Sequence, residues 1–154
     1  MRRMLLILTT VFASLPIVAA ADDAPPIEAY QQWTAKGHAI QEPLGGLKGD
    51  VARGRKLSID SAKGNCLACH RLPIPEEEFH GELGPSLVKI GKKYDEGKMR
   101  LRIVNIQELL PSSLMPPMYM NPAELTEVAK KFHGHTVLTA QEVEDVVAYL
   151  MTLK

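Results

Sequence analysis

The clearest pattern of apolar and polar positions lies near the end of the chain. Val143, Val146, Val147, Leu150 and Leu153 recur at helical spacing and give one apolar face. Thr139-Ala140-Gln141-Glu142 stands at the start of that helix. It is a capping box: the Thr139 hydroxyl can accept from the Glu142 N–H while the Glu142 side chain reaches back. Glu142, Glu144 and Asp145 fall in the first turns, where negative charge suits the helix dipole. A second helix is predicted from Lys98 to Ile106, with Leu101, Ile103 and Val104 facing inward. Asn121-Pro122 predicts a third, with Asn as cap and Pro at the first helical position. Leu125, Val128, Ala129 and Phe132 continue its apolar face. Asp50 caps a fourth, running through Val51, Ala52, Gly54 and Leu57 toward Ile59. Gly54 costs this helix stability relative to alanine. Either another helix crosses closely there, or the glycine is a tolerated surface residue. A short helix is also predicted from Ile27 to Ala35. There is no alternating strand pattern of useful length and no internal repeat, so the fold class is all-α.

Met4 to Val18 is an apolar run preceded by Arg2 and Arg3, with Ala19-Ala20-Ala21 behind it. A charged start, a short apolar stretch and small residues read as an export signal cleaved near Ala21. The run is short for a membrane span of about 20 residues. This predicts a periplasmic protein with no membrane span in the mature chain. Residues 22–49 read as an N-terminal extension, punctuated by Pro25, Pro26, Pro43, Gly45, Gly46 and Gly49. Tyr30, Trp33, Ile40 and Leu44 give that extension something to pack. Residues 50–154 then form a single domain of ordinary size.

The full sequence balances 18 basic against 18 acidic residues, and losing Arg2 and Arg3 leaves the remainder slightly acidic. Nothing here suits nucleic acid, and an aromatic content of 5% offers little surface for stacking bases.

Cys66-Leu67-Ala68-Cys69-His70 changes the picture most. Two thiols three positions apart lie on one helical turn and can add to the two vinyl groups of one porphyrin. His70 then offers an imidazole nitrogen to the iron. A redox dithiol or a structural disulfide would also use Cys-x-x-Cys, but neither needs the following His. These are the only 2 cysteines, so no thiol remains for an all-thiolate zinc site. The motif therefore predicts one covalently bound haem c.

A second iron ligand is expected downstream, and Met115, Met118 and Met120 cluster around Pro116-Pro117. A thioether is a soft ligand that raises the reduction potential. Most methionines merely fill cores. Met115 is favoured over Met118 and Met120, because a residue before proline is held extended. Pro85, in His80-Gly81-Glu82-Leu83-Gly84-Pro85, has a carbonyl that could accept from the free ring nitrogen of His70; an ordinary Gly-Pro turn is the plainer reading. His80 reads as a surface or loop residue. His38, His133 and His135 show no paired arrangement for metal.

Together these residues resemble class I cytochromes c and, within them, the SoxX family, the small monohaem subunits of SoxAX thiosulfate-oxidising complexes. The resemblance runs from about Leu44 to Leu153. It is carried by Gly64-Asn65-Cys66-Leu67-Ala68-Cys69-His70, by His80-Gly81 with Gly84-Pro85 and Leu87, by Met115-Pro116-Pro117, and by the stretch from Leu138 to Leu150. It implies a class I cytochrome c-like helical domain around one covalent haem, with His70 and Met115 as axial ligands and Pro85 supporting His70. It also implies that Gly54 and Tyr149 mark the crossing of the first and last helices. The implied partners are a SoxA-like cytochrome subunit, a SoxYZ-like carrier reached through the complex, and a downstream electron acceptor. The chain has no cysteine to spare for catalysis. Its implied role is electron relay within an L-cysteine S-thiosulfotransferase of SoxAX type. A free shuttle cytochrome and a haem enzyme such as a peroxidase are the other readings; the latter needs an open iron site. Finally, Lys89, Lys92, Lys93, Lys98, Arg100 and Arg102 outnumber Asp95 and Glu96 over this stretch. They read either as solvated surface or as a patch that steers an acidic redox partner.

Overall fold

The computed structural model describes residues 29–124 and 134–154. Among the described residues there are four α-helices: α1 (Val51–Ile59), α2 (Ile90–Lys93), α3 (Glu96–Asn105) and α4 (Ala140–Thr152). No strand forms among them; one isolated bridge joins Lys36 and Ala39. No described helix is long and apolar enough to cross a membrane.

Each long helix begins where its cap predicts. The Asp50 carboxylate accepts from the Arg53 N–H at 2.8 Å and starts α1. Asp95 accepts from the Lys98 N–H at 2.8 Å, so α3 begins two residues before Lys98. The capping box at Thr139 forms in both directions, with Glu142 N–H to Thr139 Oγ1 at 3.2 Å and Thr139 N–H to Glu142 Oε2 at 2.9 Å. Asn121 and Pro122 open a 3-10 turn, Pro122–Glu124. The rest of the helix expected there, including Leu125, Val128, Ala129 and Phe132, lies outside the described residues, as do the export signal and His133.

The core is built on α4. Val143, Val146, Val147 and Leu150 are buried, as the spacing predicts, against Leu101, Ile103 and Val104 of α3. Helix α1 crosses α4 at Gly54. A Cβ placed on Gly54 would lie 1.9 Å from the Asp145 carbonyl oxygen and 2.9 Å from the Tyr149 Cβ. The close-crossing reading of Gly54 therefore holds and the surface reading fails.

Two expectations are corrected. Residues 29–35 are not helical. Their backbone answers to distant partners instead: the Gln31 N–H donates to the Tyr119 hydroxyl at 2.6 Å. The arm then turns at Gly37 and His38, both in the left-handed region, and buries Ala39, Ile40 and Leu44 in the main core.

Glu144 and Asp145 stand in the first turns of α4 as expected, and both are buried. Asp145 takes two hydrogen bonds from Arg53, at 2.7 and 2.9 Å, and one from the Asp50 N–H at 2.7 Å. Burial pushes its carboxyl up, but Arg53, the Asp50 N–H and Gln141 together hold it below the ordinary carboxylate value.

The second correction concerns Arg100, which leaves the basic surface patch. It is 1% exposed and grips Glu144 with a bidentate pair at 2.7 and 2.9 Å. Its remaining donors reach the carbonyls of Ile40, at 2.7 Å, and Gln41. Glu144 also accepts from the Leu44 N–H at 2.9 Å. One buried ion pair thus ties α3, α4 and the arm together.

Candidate haem site

A cavity of about 930 Å³ opens between α3, α4, the segment after His70 and the methionine loop. Cys66, Cys69, His70, Pro85 and Met115 all line it. The sequence thus named five residues from three separate stretches, and the fold brings them to one place.

The cysteines are presented by local geometry. Asp60 to Asn65 turn the chain at the end of α1, and Asn65 takes a left-handed conformation. A 3-10 turn, Cys66–Ala68, follows, with the Cys69 and His70 N–H groups both donating to the Cys66 carbonyl, at 3.2 and 2.9 Å. Both sulfurs therefore border the cavity from one tight turn. Burial pushes the Cys66 thiol up. That is the reverse of a redox dithiol, whose attacking thiol is held as a thiolate.

His70 is fixed from two sides. Its Nδ1–H donates to the Pro85 carbonyl at 2.7 Å, which leaves Nε2 unprotonated as a ligand nitrogen. The plainer reading of Gly84-Pro85 as a mere turn therefore falls. Gly84 packs against the imidazole itself: a Cβ there would sit 2.3 Å from Cε1 and 2.6 Å from Nδ1 of His70. No side chain fits without moving the ring. Gly84→Ala is therefore expected to displace His70 and to weaken its hold on a metal. Titration of the ferrous variant with carbon monoxide measures this, and a site as closed as wild type would contradict it.

His80 is a residue whose role sequence reasoning missed. Its Nδ1 accepts from the Leu72 N–H at 3.1 Å and its Nε2–H donates to the Glu77 carbonyl at 3.0 Å. It locks the loop that leads from the attachment turn to Pro85. Only its place between the Cys-x-x-Cys-His and Gly-Pro motifs could have signalled this.

Met115 and Met118 both line the cavity, and Met120 does not. Met118 also packs on the core, and its N–H donates to the Val104 carbonyl at 3.1 Å. Met115 is not part of that core; it sits between exposed Leu114 and Pro116. At another edge of the cavity the Arg102 guanidinium lies 3.7 Å from the centre of the Tyr94 ring, and Lys93 Nζ lies 5.2 Å from it. Burial pushes the Tyr94 hydroxyl up, but these two cations draw it below its ordinary value.

Residues 51–154 match the family model of cytochrome c. The chain belongs to the cytochrome c family. It is 30% identical to a chain of the crystal structure of SoxXA from P. pantotrophus, with a TM-score of 0.72 over 79% of this chain and 94% of that one. It is also 32% identical, over 120 residues, to an uncharacterized lipoprotein of Aquifex aeolicus (strain VF5). That match takes in 69% of this chain, which spans about half (51%) of the length of that curated relative. Within its family the chain is a class I cytochrome c of SoxX type, with the all-α fold of that class. It carries a covalently bound haem c.

The residues present fit that group. The cavity is mostly apolar, two thiols border it from one turn, and an imidazole with its far nitrogen already engaged faces it.

Proposed function

We propose that this chain is the electron-relay subunit of a SoxAX-type complex in the periplasm, where thiosulfate is joined oxidatively to a cysteine of a carrier protein. Cys66 and Cys69 hold the haem as thioethers, and His70 gives Nε2 to the iron. Met115 would supply the sixth ligand, because it borders the cavity without being part of the core, whereas Met118 is held there. Lys93 and Arg102 line the same cavity and would be the cations available to the carboxylates of a bound haem. Bound haem supplies one-electron exchange between ferric and ferrous iron. The Pro85 carbonyl keeps His70 in the required tautomer, and the apolar lining keeps water from the iron. With both His70 and Met115 given to the iron, the site would have no open position, and this favours electron transfer over a peroxidase.

The observation that carries this reading is the convergence of both cysteines, His70 and Met115 on one apolar cavity. Both cysteines are engaged there, so the thiol that takes up sulfur must come from a partner. The likeness to a SoxXA structure supports a SoxA-like cytochrome in that role, with a SoxYZ-like carrier as its substrate.

Purification from the native periplasm tests this. The chain is expected to co-elute with a second, cysteine-bearing cytochrome, and its haem is expected to be reduced by thiosulfate only with that partner and the carrier present. A chain that elutes alone and exchanges electrons freely with other cytochromes would be a shuttle instead.

A further inference from the structure

The methionine loop, residues 111–120, contains no helix. Its far end is held by backbone bonds: Met118 and Tyr119 donate to the Val104 carbonyl, and the Met118 carbonyl accepts from the Leu138 N–H at 2.9 Å. Among the described residues Met115 itself has only a local bond, from its N–H to Ser113 Oγ at 3.2 Å. The loop is therefore fixed just beyond Met118 and weakly held at Met115.

The N-terminal arm reinforces the fixed point. Tyr30 stacks on Tyr119, with ring centres 4.9 Å apart and planes 19° from parallel. The Gln31 N–H donates to the Tyr119 hydroxyl at 2.6 Å, across 88 positions of sequence. Tyr119 is 2% exposed, so its ring is a buried peg rather than a surface contact. The arm is anchored in turn by Arg100 on the Ile40 carbonyl. A continuous path thus runs from the buried ion pair, through the arm, to a residue four positions from Met115.

We propose that Tyr30 and Tyr119 are positioning residues that hold the Met115 loop against the haem cavity and set how readily it opens to small ligands. This rests on the reading of Met115 as sixth ligand. An opening that lifts the loop's far end away from the cavity takes Tyr119 out of its stack on Tyr30 and its hydrogen bond with Gln31, so each contact opposes that opening.

Cyanide binding to the ferric holoprotein reads that equilibrium, because the anion enters only when the sixth position is vacated. Tyr30→Ala removes the stack, and Tyr119→Phe removes the acceptor while keeping the ring. Each is expected to bind cyanide about fivefold faster than wild type, the loss expected for one aromatic pair or one hydrogen bond. The weak far-red band of a ferric iron–thioether bond should persist at rest in both. Tyr30→Phe keeps the stack and should bind at the wild-type rate. Wild-type rates in both Tyr30→Ala and Tyr119→Phe, with helicity intact, would overturn the proposal. If Tyr30→Ala fails to fold, Tyr119→Phe decides alone. Met115→Ala separates the two claims: it should lose the far-red band and bind cyanide without an opening step. A Met115→Ala protein that keeps the band would sink the ligand reading, and the proposal with it.

Discussion

With Cys66 and Cys69 both replaced by alanine, the chain is expected to lose all covalently held haem to acid acetone and to lose cooperative unfolding. The two sulfurs border the cavity from one 3-10 turn, and each forms one thioether bond to the porphyrin in our reading. The consequence for folding follows from volume. A cavity of about 930 Å³ lined by Ile103, Leu138, Val146 and Leu150 belongs to the core of this domain. Domains of this kind are stable by only about 5–15 kcal/mol, and each unfilled cavity draws on that margin. Without its occupant the domain is expected to show near-native helix content at most, with no sharp melting transition. Circular dichroism on heating measures this. A double variant that melts sharply, or holds haem through extraction, would contradict it.

Arg100→Met is expected to destabilise the holoprotein by about 3–5 kcal/mol, the usual consequence of breaking a buried ion pair from one side. The substitution leaves the Glu144 carboxylate buried, with the Leu44 N–H still donating to it but no counterion. It also strips a donor from the carbonyls of Ile40 and Gln41, so the arm loses its main tie to α3. Pairing Arg100→Met with Glu144→Leu removes the stranded charge and is expected to restore much of the loss. Unfolding by denaturant of wild type, single and double variants gives the three free energies. A single variant within about 1 kcal/mol of wild type, on the scale of a surface pair, would show that this pair does not hold the arm.

The charged residues mark where sequence and structure part. Caps, apolar faces and the haem motif are local signals, and Asp50, Thr139 and Cys66 to His70 stand as their spacing requires. The attachment site could be read because its chemistry is confined to five consecutive residues. Glu144 and Asp145 could be placed at the helix start, but nothing within α4 reveals that Arg100 and Arg53 wait 44 and 92 positions away. Arg100 looked like one more cation in a basic stretch for the same reason. The arm misled as a helix because its conformation is set by Tyr119 and Arg100 rather than by its own residues. Gly54 was legible as a close helix crossing, which the carbonyl of Asp145 bears out, whereas the packing of Gly84 on the ring of His70 was not legible. For His80 only its place between the two motifs gave a sign, since a pair of backbone contacts leaves no pattern in sequence.

Attachment through the two cysteines is the claim on which the cavity, the ligands and the relay all depend, and peptide mass tests it most directly. A protease that cuts after lysine and arginine releases residues 64–71, bounded by Lys63 and Arg71, from protein matured in a host that attaches haem c. That peptide is expected to carry the mass of one haem on Cys66 and Cys69 after extraction with acid acetone. Recovery of the same peptide unmodified, or joined only as a disulfide, would contradict the account.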